Sequence, residues 1–261
     1  MKILFLIILL VLLVPKIQAF GEDEGNVDIE IELLSSIPGR DLQWDWWQAR
    51  TAFVPSSKDG KGTKSKWVTT MSETGRAVSH DFHDIFESVS YDEGVTWSKP
   101  KRLDSLVRFK QDDGYEVSAG DLWPTYHKKS GKVIATGKTF NFEKGTNENI
   151  RREKISYAVM DPKNGEWGKL RFLEMPEKDY AGNIITAANA GNTQRVDLPN
   201  GDILLPVRYM ADSKKVNYTS IVALCRFDGE KLVYLKHGTE HSIPRDRGLY
   251  EPSLIEHNGE Y

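Results

Sequence analysis

The chain has 261 residues, with 35 basic against 38 acidic side chains and six histidines. A surface that is acidic on balance excludes nucleic acid as the expected partner, because phosphate contacts need a basic face. The single cysteine, Cys225, excludes an intrachain disulfide and a cysteine-built zinc site. The fold must therefore be held by its own core, for which seven Trp, ten Tyr and ten Phe supply the bulk.

Residues 1–19 read MKILFLIILLVLLVPKIQA, with Lys2, an apolar run from Ile3 to Val14, a breaker at Pro15 and a small residue at Ala19. This is the pattern of a secretory signal peptide, predicted to be cleaved after Ala19, and its apolar core is shorter than the ~20 residues that span a bilayer. A lipoprotein would need a cysteine at the cleavage point, and Cys225 is far away. The expected mature protein is secreted or periplasmic and carries no membrane anchor. Without Lys2 and Lys16 its balance is 33 basic to 38 acidic residues.

After an acidic GEDEGN segment, Val27–Leu34 (VDIEIELL) alternates apolar and acidic residues, which predicts a half-buried strand. Strand-like runs then recur every eight to twelve residues or so: SKWVTTM, DIFESVSY, KVIATGKTF, KISYAVM, DILLPVRYM and YTSIVALCRF. No stretch of a dozen residues has a helical period, so the chain is expected to be all-β. Turn pairs at Ser130-Gly131, Asn164-Gly165, Asn200-Gly201, Asp228-Gly229 and Asn258-Gly259 suit hairpins. The hairpins group near 45–105, 115–175, 185–240 and from 246 onward, the spacing of radially repeated four-stranded sheets, with a β-sandwich as the alternative.

Ser90–Trp97 (SYDEGVTW) fits S-x-D-x-G-x-T-W at every defined position. In such a turn the Asp92 carboxylate accepts backbone N–H groups, Gly94 takes a positive φ and Trp97 wedges against strands. A degenerate copy follows at Asp161–Trp167 (DPKNGEW). The motif is identified as the Asp-box of sialidase-type propellers, and from about residue 44 the chain resembles sialidase-family (BNR-repeat) proteins in the right order. RTAFVP (50–55) resembles the opening Arg-Ile-Pro element, with two residues inserted. DLWPTYHKKSGKVIATGKTF (121–140) is similar to the following hairpin, GNTQRVDLPNGDILLPVRY (191–209) to the blade ending near the substrate, and LYEPSLIEHNGEY (249–261) to the segment carrying a catalytic glutamate. The resemblance implies a partial sialidase-like β-propeller over 44–261, roughly the first three to four blades of about six, preceded by a segment and closing strand at 20–43. The expectation is that this chain is a fragment of a longer one, unstable alone because an open propeller leaves a sheet edge unpaired.

Family sialidases bind the substrate carboxylate with three arginines and use a tyrosine nucleophile activated by a glutamate, with an aspartate as acid/base. The resemblance assigns Arg50 to the first arginine, Asp84, six residues before Ser90, to the acid/base, and Glu251 to the glutamate. The remaining arginines and the tyrosine would fall beyond Tyr261. His80, Asp81, His83 and Asp84 form a dense titratable cluster, which makes Asp81 a further candidate. Trp47, within the WDWW run 44–47, is a candidate sugar platform, or else an interblade plug. Arg195 and Arg208, with Asn189, Asn192 and Gln194 nearby, are candidate anion contacts in the third blade. No metal or cofactor is expected.

The reading is an exported carbohydrate-active protein, an exo-acting glycoside hydrolase removing terminal acidic sugars from glycans or polysaccharides. The alternatives are a polysaccharide lyase or other glycosidase, with His80, His83 or His127 as base candidates, and a non-catalytic glycan-binding propeller.

Overall fold

A computed structural model describes residues 31–33, 36–39, 41, 43–56, 64–76, 80–146, 149–211 and 216–261. The expected signal peptide and most of the 27–34 alternation lie outside the described residues. Ile31, Glu32 and Leu33 of that alternation are exposed and belong to no strand, so the half-buried strand expected there is not formed by these three. The body treated below is Ser35–Tyr261.

It is built from three antiparallel sheets. The first is a meander of β1 (Trp44–Val54), β2 (Lys66–Gly75), β3 (Phe82–Ser90) and β4 (Lys101–Arg102). A single 3-10 turn, Asp104–Leu106, leads to the second, made of β5 (Phe109–Lys110), β6 (Glu116–His127), β7 (Lys132–Phe142), β8 (Asn149–Ile150), β9 (Ile155–Asp161), β10 (Glu166–Trp167) and β11 (Arg171–Phe172). The third contains β12 (Thr186–Asn189), β13 (Val196–Asp197), β14 (Asp202–Met210), β15 (Tyr218–Phe227) and β16 (Leu232–His237). Apart from β5 and the first residue of β1, each sheet falls within one of the expected hairpin groups, and the glycine of all five turn pairs has positive φ.

The middle strands are buried on both faces. β14 is buried at every residue but Leu204, and β7 at all but Lys132 and Lys138. One core cluster joins Val54, Val68 and Ile85 of the first sheet to Ala119, Leu122 and Val133 of the second. Another joins Ile134, Ile155 and Tyr157 to Ile203, Leu205, Val207 and Ile221 of the third. Burying such side chains stabilises by about 1.5–3 kcal/mol each. Polar ties cross the same seams: Trp167 Nε1 donates to Glu87 Oε2 at 2.9 Å.

The turns linking third to fourth strands share one chemistry. In Ser90–Trp97, Asp92 Oδ1 accepts the Thr96 N–H at 2.8 Å and Oδ2 its hydroxyl at 2.6 Å, while Ser90 Oγ accepts the Gly94 N–H at 2.8 Å. Gly94, at φ 90°, sits between the rings of Trp67 and Trp97, where a Cβ would come within 3.3 Å of Trp67. In the second sheet Asp161 instead pairs with Lys132 Nζ at 2.6 Å and accepts the Lys163 N–H at 3.0 Å. In the third, Asp228 accepts the N–H groups of Glu230 and Lys231 at 2.8 and 2.7 Å.

Strands β1, β6 and β12 are each interrupted at one place. Their pairing with β2, β7 and β14 slips between Trp47 and Arg50, between Gly120 and Trp123, and between Thr186 and Asn189. In each bulge one residue has left-handed backbone: Gln48 (φ 56°), Asp121 (φ 53°) and Ala187 (φ 46°). Two residues then face one across the ladder, and the strand bends. Gly137 faces the second bulge and must lack a side chain, since its Cβ would stand 2.5 Å from Gly120 O.

Candidate functional site

The bulges of β1 and β6 are tied to each other, and that of β6 lies against the segment after β12. Gln48 Oε1 accepts the Asp121 N–H at 3.2 Å, tying the first sheet to the second. Asp121 in turn lies against Gly191 of the third, where a Cβ would meet its Oδ2 at 2.7 Å. Beside Gln48, Arg50 reaches across to Asn192 Oδ1 at 3.0 Å, and its guanidinium lies 5.0 Å from the Trp123 ring centre.

Asp121 is the most deeply set acid of the group. Its side chain is 2% exposed, and Oδ2 pairs with Lys138 Nζ at 2.9 Å while Oδ1 makes no hydrogen bond. Lys138 also lies 4.5 Å from the Phe140 ring centre. Phe140 stacks on Phe82 at 3.9 Å, and Phe82 meets Trp47 edge-on at 5.8 Å. Through this aromatic chain the Asp81–Asp84 segment abuts the central polar group.

On the third sheet Arg208 is almost wholly buried. Its Nε donates to Asn189 Oδ1 at 3.1 Å, and its Nη1 stands 3.9 Å from Glu251 Oε1. Glu251 is half exposed and has the same left-handed backbone, φ 56°, as the bulge residues. The next segment is anchored just after it, where the Leu254 N–H donates to Gln194 O at 3.0 Å.

Of the residues expected from sequence, Arg50 thus reaches Asn192 of the third sheet, Arg208 faces Glu251 at 3.9 Å, and Trp47 is 46% exposed. Asp81 is buried and bonded to His83 Nε2 at 2.7 Å, with Arg108 Nη1 at 3.9 Å, and the His83 ring meets Trp44 edge-on at 4.8 Å. Asp84 is engaged elsewhere: Oδ1 accepts the Arg108 N–H at 2.9 Å, and Oδ2 lies 3.7 Å from Arg102. That carboxylate pins the 102–108 connection.

Arg195 is a correction. Its side chain is 1% exposed, and it donates to Asp197 Oδ1, Ile134 O and Thr125 O at 2.9, 2.6 and 3.2 Å, so it fastens the third sheet to the second and offers nothing to a ligand. His127 is likewise structural. Its ring bonds Ser130 Oγ and Gly201 O at 2.8 and 2.9 Å, which uses both nitrogens and removes it as a base. The WDWW run divides: Trp46 donates to Pro38 O at 3.0 Å and packs on Phe86, Trp44 packs on His83, and Trp47 presents its face. Gln48, Asp121 and Lys138 were missed by the sequence reading. The only trace of them there is the glycines at 120, 137 and 191 that make room for the bulge and its carboxylate.

No family model matches the sequence, and no curated protein matches it. Among solved structures, Trypanosoma rangeli sialidase in complex with sialic acid matches over 82% of this chain and 33% of its own, at TM-score 0.54 and 14% identity. The fold is a sialidase-like β-propeller. Each sheet is then a blade. A Dyadobacter fermentans protein of unknown function matches over 79% of this chain and 57% of its own, at TM-score 0.54 and 12% identity. A Hadza microbial sialidase matches over 77% and 39%, at TM-score 0.49 and 12% identity. The chain therefore spans between a third and three-fifths of the length of these proteins.

Proposed function

We propose that the protein is an exported, exo-acting glycoside hydrolase that removes terminal acidic sugars from glycans or polysaccharides. The observation that carries this is Arg50, held on Asn192 of the third sheet and over the Trp123 ring, together with the half-exposed carboxylate of Glu251 on that same sheet's following segment and the 46% exposed ring of Trp47. Guanidinium groups hold a sugar carboxylate by charge-assisted, paired hydrogen bonds, and an indole face takes the apolar side of a pyranose. Glu251 is the proton acceptor for the attacking group. The proton for the departing oxygen is assigned to the Asp81–Asp84 segment, where Asp81 with His83 is better disposed than Asp84, whose oxygens are occupied by Arg108 and Arg102.

A lyase acting on uronates is the second reading, favoured by the Asp81–His83 pair, since a carboxylate-oriented imidazole is the base that an elimination requires. The test is a product screen over sialosides, uronate-containing polysaccharides and sulfated polysaccharides, with Glu251→Gln as control. Free terminal acidic sugar, lost by about 100-fold or more in the variant, is expected. An unsaturated uronate product would establish the lyase instead. Binding without product would make the propeller a glycan-binding module and overturn the hydrolase.

A further inference from the structure

Next to Arg208 a second set of cations gathers around one ring. Tyr218, the first residue of β15, is buried at 2% exposure. Arg151 Nη1 donates to its hydroxyl at 2.6 Å, Arg208 lies 4.6 Å from its ring centre, and Arg247 lies 5.8 Å from it and 4.5 Å from that of Tyr250.

These positions are built in. The 245–250 segment is laced to β15 by the Tyr218 N–H to Arg247 O at 2.8 Å and the Leu249 N–H to Tyr218 O at 2.9 Å. Gly248 lies so close to the Tyr218 backbone that no side chain would fit there. Arg208 is oriented by Asn189, whose own Nδ2 is buried without a hydrogen-bond partner.

The charge is not balanced. Among the described residues Arg151 and Arg247 make no ion pair, and Arg208 has only Glu251, at 3.9 Å. Ring faces offset part of the cost of holding three guanidinium groups together, but a ring offers no counter-charge. Planar donor forks of this kind match carboxylate and sulfate oxygens two at a time. Tyr250, 42% exposed, adds a ring face alongside them.

We infer that Arg151, Arg208 and Arg247, with Tyr218 and Tyr250, form a second anion subsite, which takes the carboxylate or sulfate of a sugar next to the one held at Arg50. The substrate class that follows is a polysaccharide bearing acidic groups on successive residues, not a glycan with one terminal acid. This deepens the proposed function and rests on it for the position of the first sugar.

The experiment is calorimetric titration of the purified protein with a sulfated, uronate-containing polysaccharide, its desulfated form and its carboxyl-reduced form. Arg151→Gln, Arg247→Gln and the double variant are compared with the parent protein. Both side chains are exposed, so the variants should fold, and unchanged thermal melting verifies it. Each single change is expected to weaken binding about tenfold and the double change more, with a shallower dependence on salt. Loss of binding on desulfation assigns sulfate to the subsite, and loss on carboxyl reduction assigns carboxylate. Undiminished affinity in the double variant would overturn the subsite even if a terminal acidic sugar is still released. Weakened binding in the variants by a protein that releases no sugar would keep the subsite and reject the hydrolase.

Discussion

Lys138 Nζ stands 2.9 Å from Asp121 Oδ2, with the two side chains 11% and 2% exposed, so this ion pair is sealed beneath the polar group it supports. The pair fixes a residue whose backbone is left-handed and whose N–H binds Gln48 of the neighbouring blade. Lys138→Met would leave a buried carboxylate with no cation, and about 3–5 kcal/mol of stability should be lost. Urea unfolding checks this, and a loss under 1 kcal/mol would show that Asp121 is stabilised by other means.

The Phe82–Phe140 stack makes a second, independent demand. A Cβ on Gly120 would run into the Phe140 ring, so Gly120→Ala must push the stack apart. A destabilisation of about 1–3 kcal/mol is expected from overpacking. Because Phe82 also carries Trp47, indole fluorescence should shift along with the melting temperature. An unshifted spectrum in a destabilised variant would place the strain elsewhere.

Acid should unfold the protein through its turn and seam carboxylates. Asp92 is held below the ordinary carboxylate range by the hydroxyl and N–H of Thr96, Asp161 and Asp202 by Lys132 and Arg226, and Asp228 by the N–H groups of Lys231 and Glu230. At Asp179 burial acts upward, but the bonds from Tyr209 and Asn183 outweigh it and the net shift is down. Each carboxyl binds its proton at higher pH unfolded, near 3.9, than folded. Their contribution is therefore complete above about pH 4 and is lost as pH falls through the lowered folded values. Melting temperature should be level from about pH 7 to 5 and drop below about 4; a level profile down to about pH 2.5 would contradict the account.

Cys225 gives a probe of global unfolding. The thiol is fully buried in the third blade, and burial pushes its pKa up to about 12, so almost no thiolate exists near neutrality. Alkylation should be undetectable in the folded protein and should track the unfolded fraction across a denaturant series. Rapid labelling in buffer would mean that the third blade opens locally.

How much of this could be read from the chain depended on what kind of signal each residue leaves. Turn glycines such as Gly94 and Gly201 mark their hairpins because positive φ selects the residue type directly. Arg50 and Glu251 were singled out by resemblance of the segments around them, and what the structure adds is their partners, Asn192 and Arg208. Arg195 and Arg208 look alike in sequence, yet one is spent on carbonyls between blades and the other faces Glu251, a difference made by contacts far away in the chain. Asp84 was preferred to Asp81 on its spacing from Ser90, a signal blind to the Arg108 backbone N–H that caps Asp84. Lys138 sits among alternating strand residues and carries no mark of its role, since its partner reaches it only through the bulge at Asp121.

The left-handed residue in each bulged strand means that every copy of the blade arrives with one address for a functional group. Gln48, Asp121 and Ala187 occupy three of these addresses, and Glu251 repeats the conformation at the head of the next segment. The kink accompanies the slip in strand pairing and is shared by a glutamine, an aspartate and an alanine, so it is not tied to one side-chain type. A scaffold of this kind acquires new chemistry by exchanging single letters at fixed places, and Ala187, which brings no polar group, is the place still open for such an exchange.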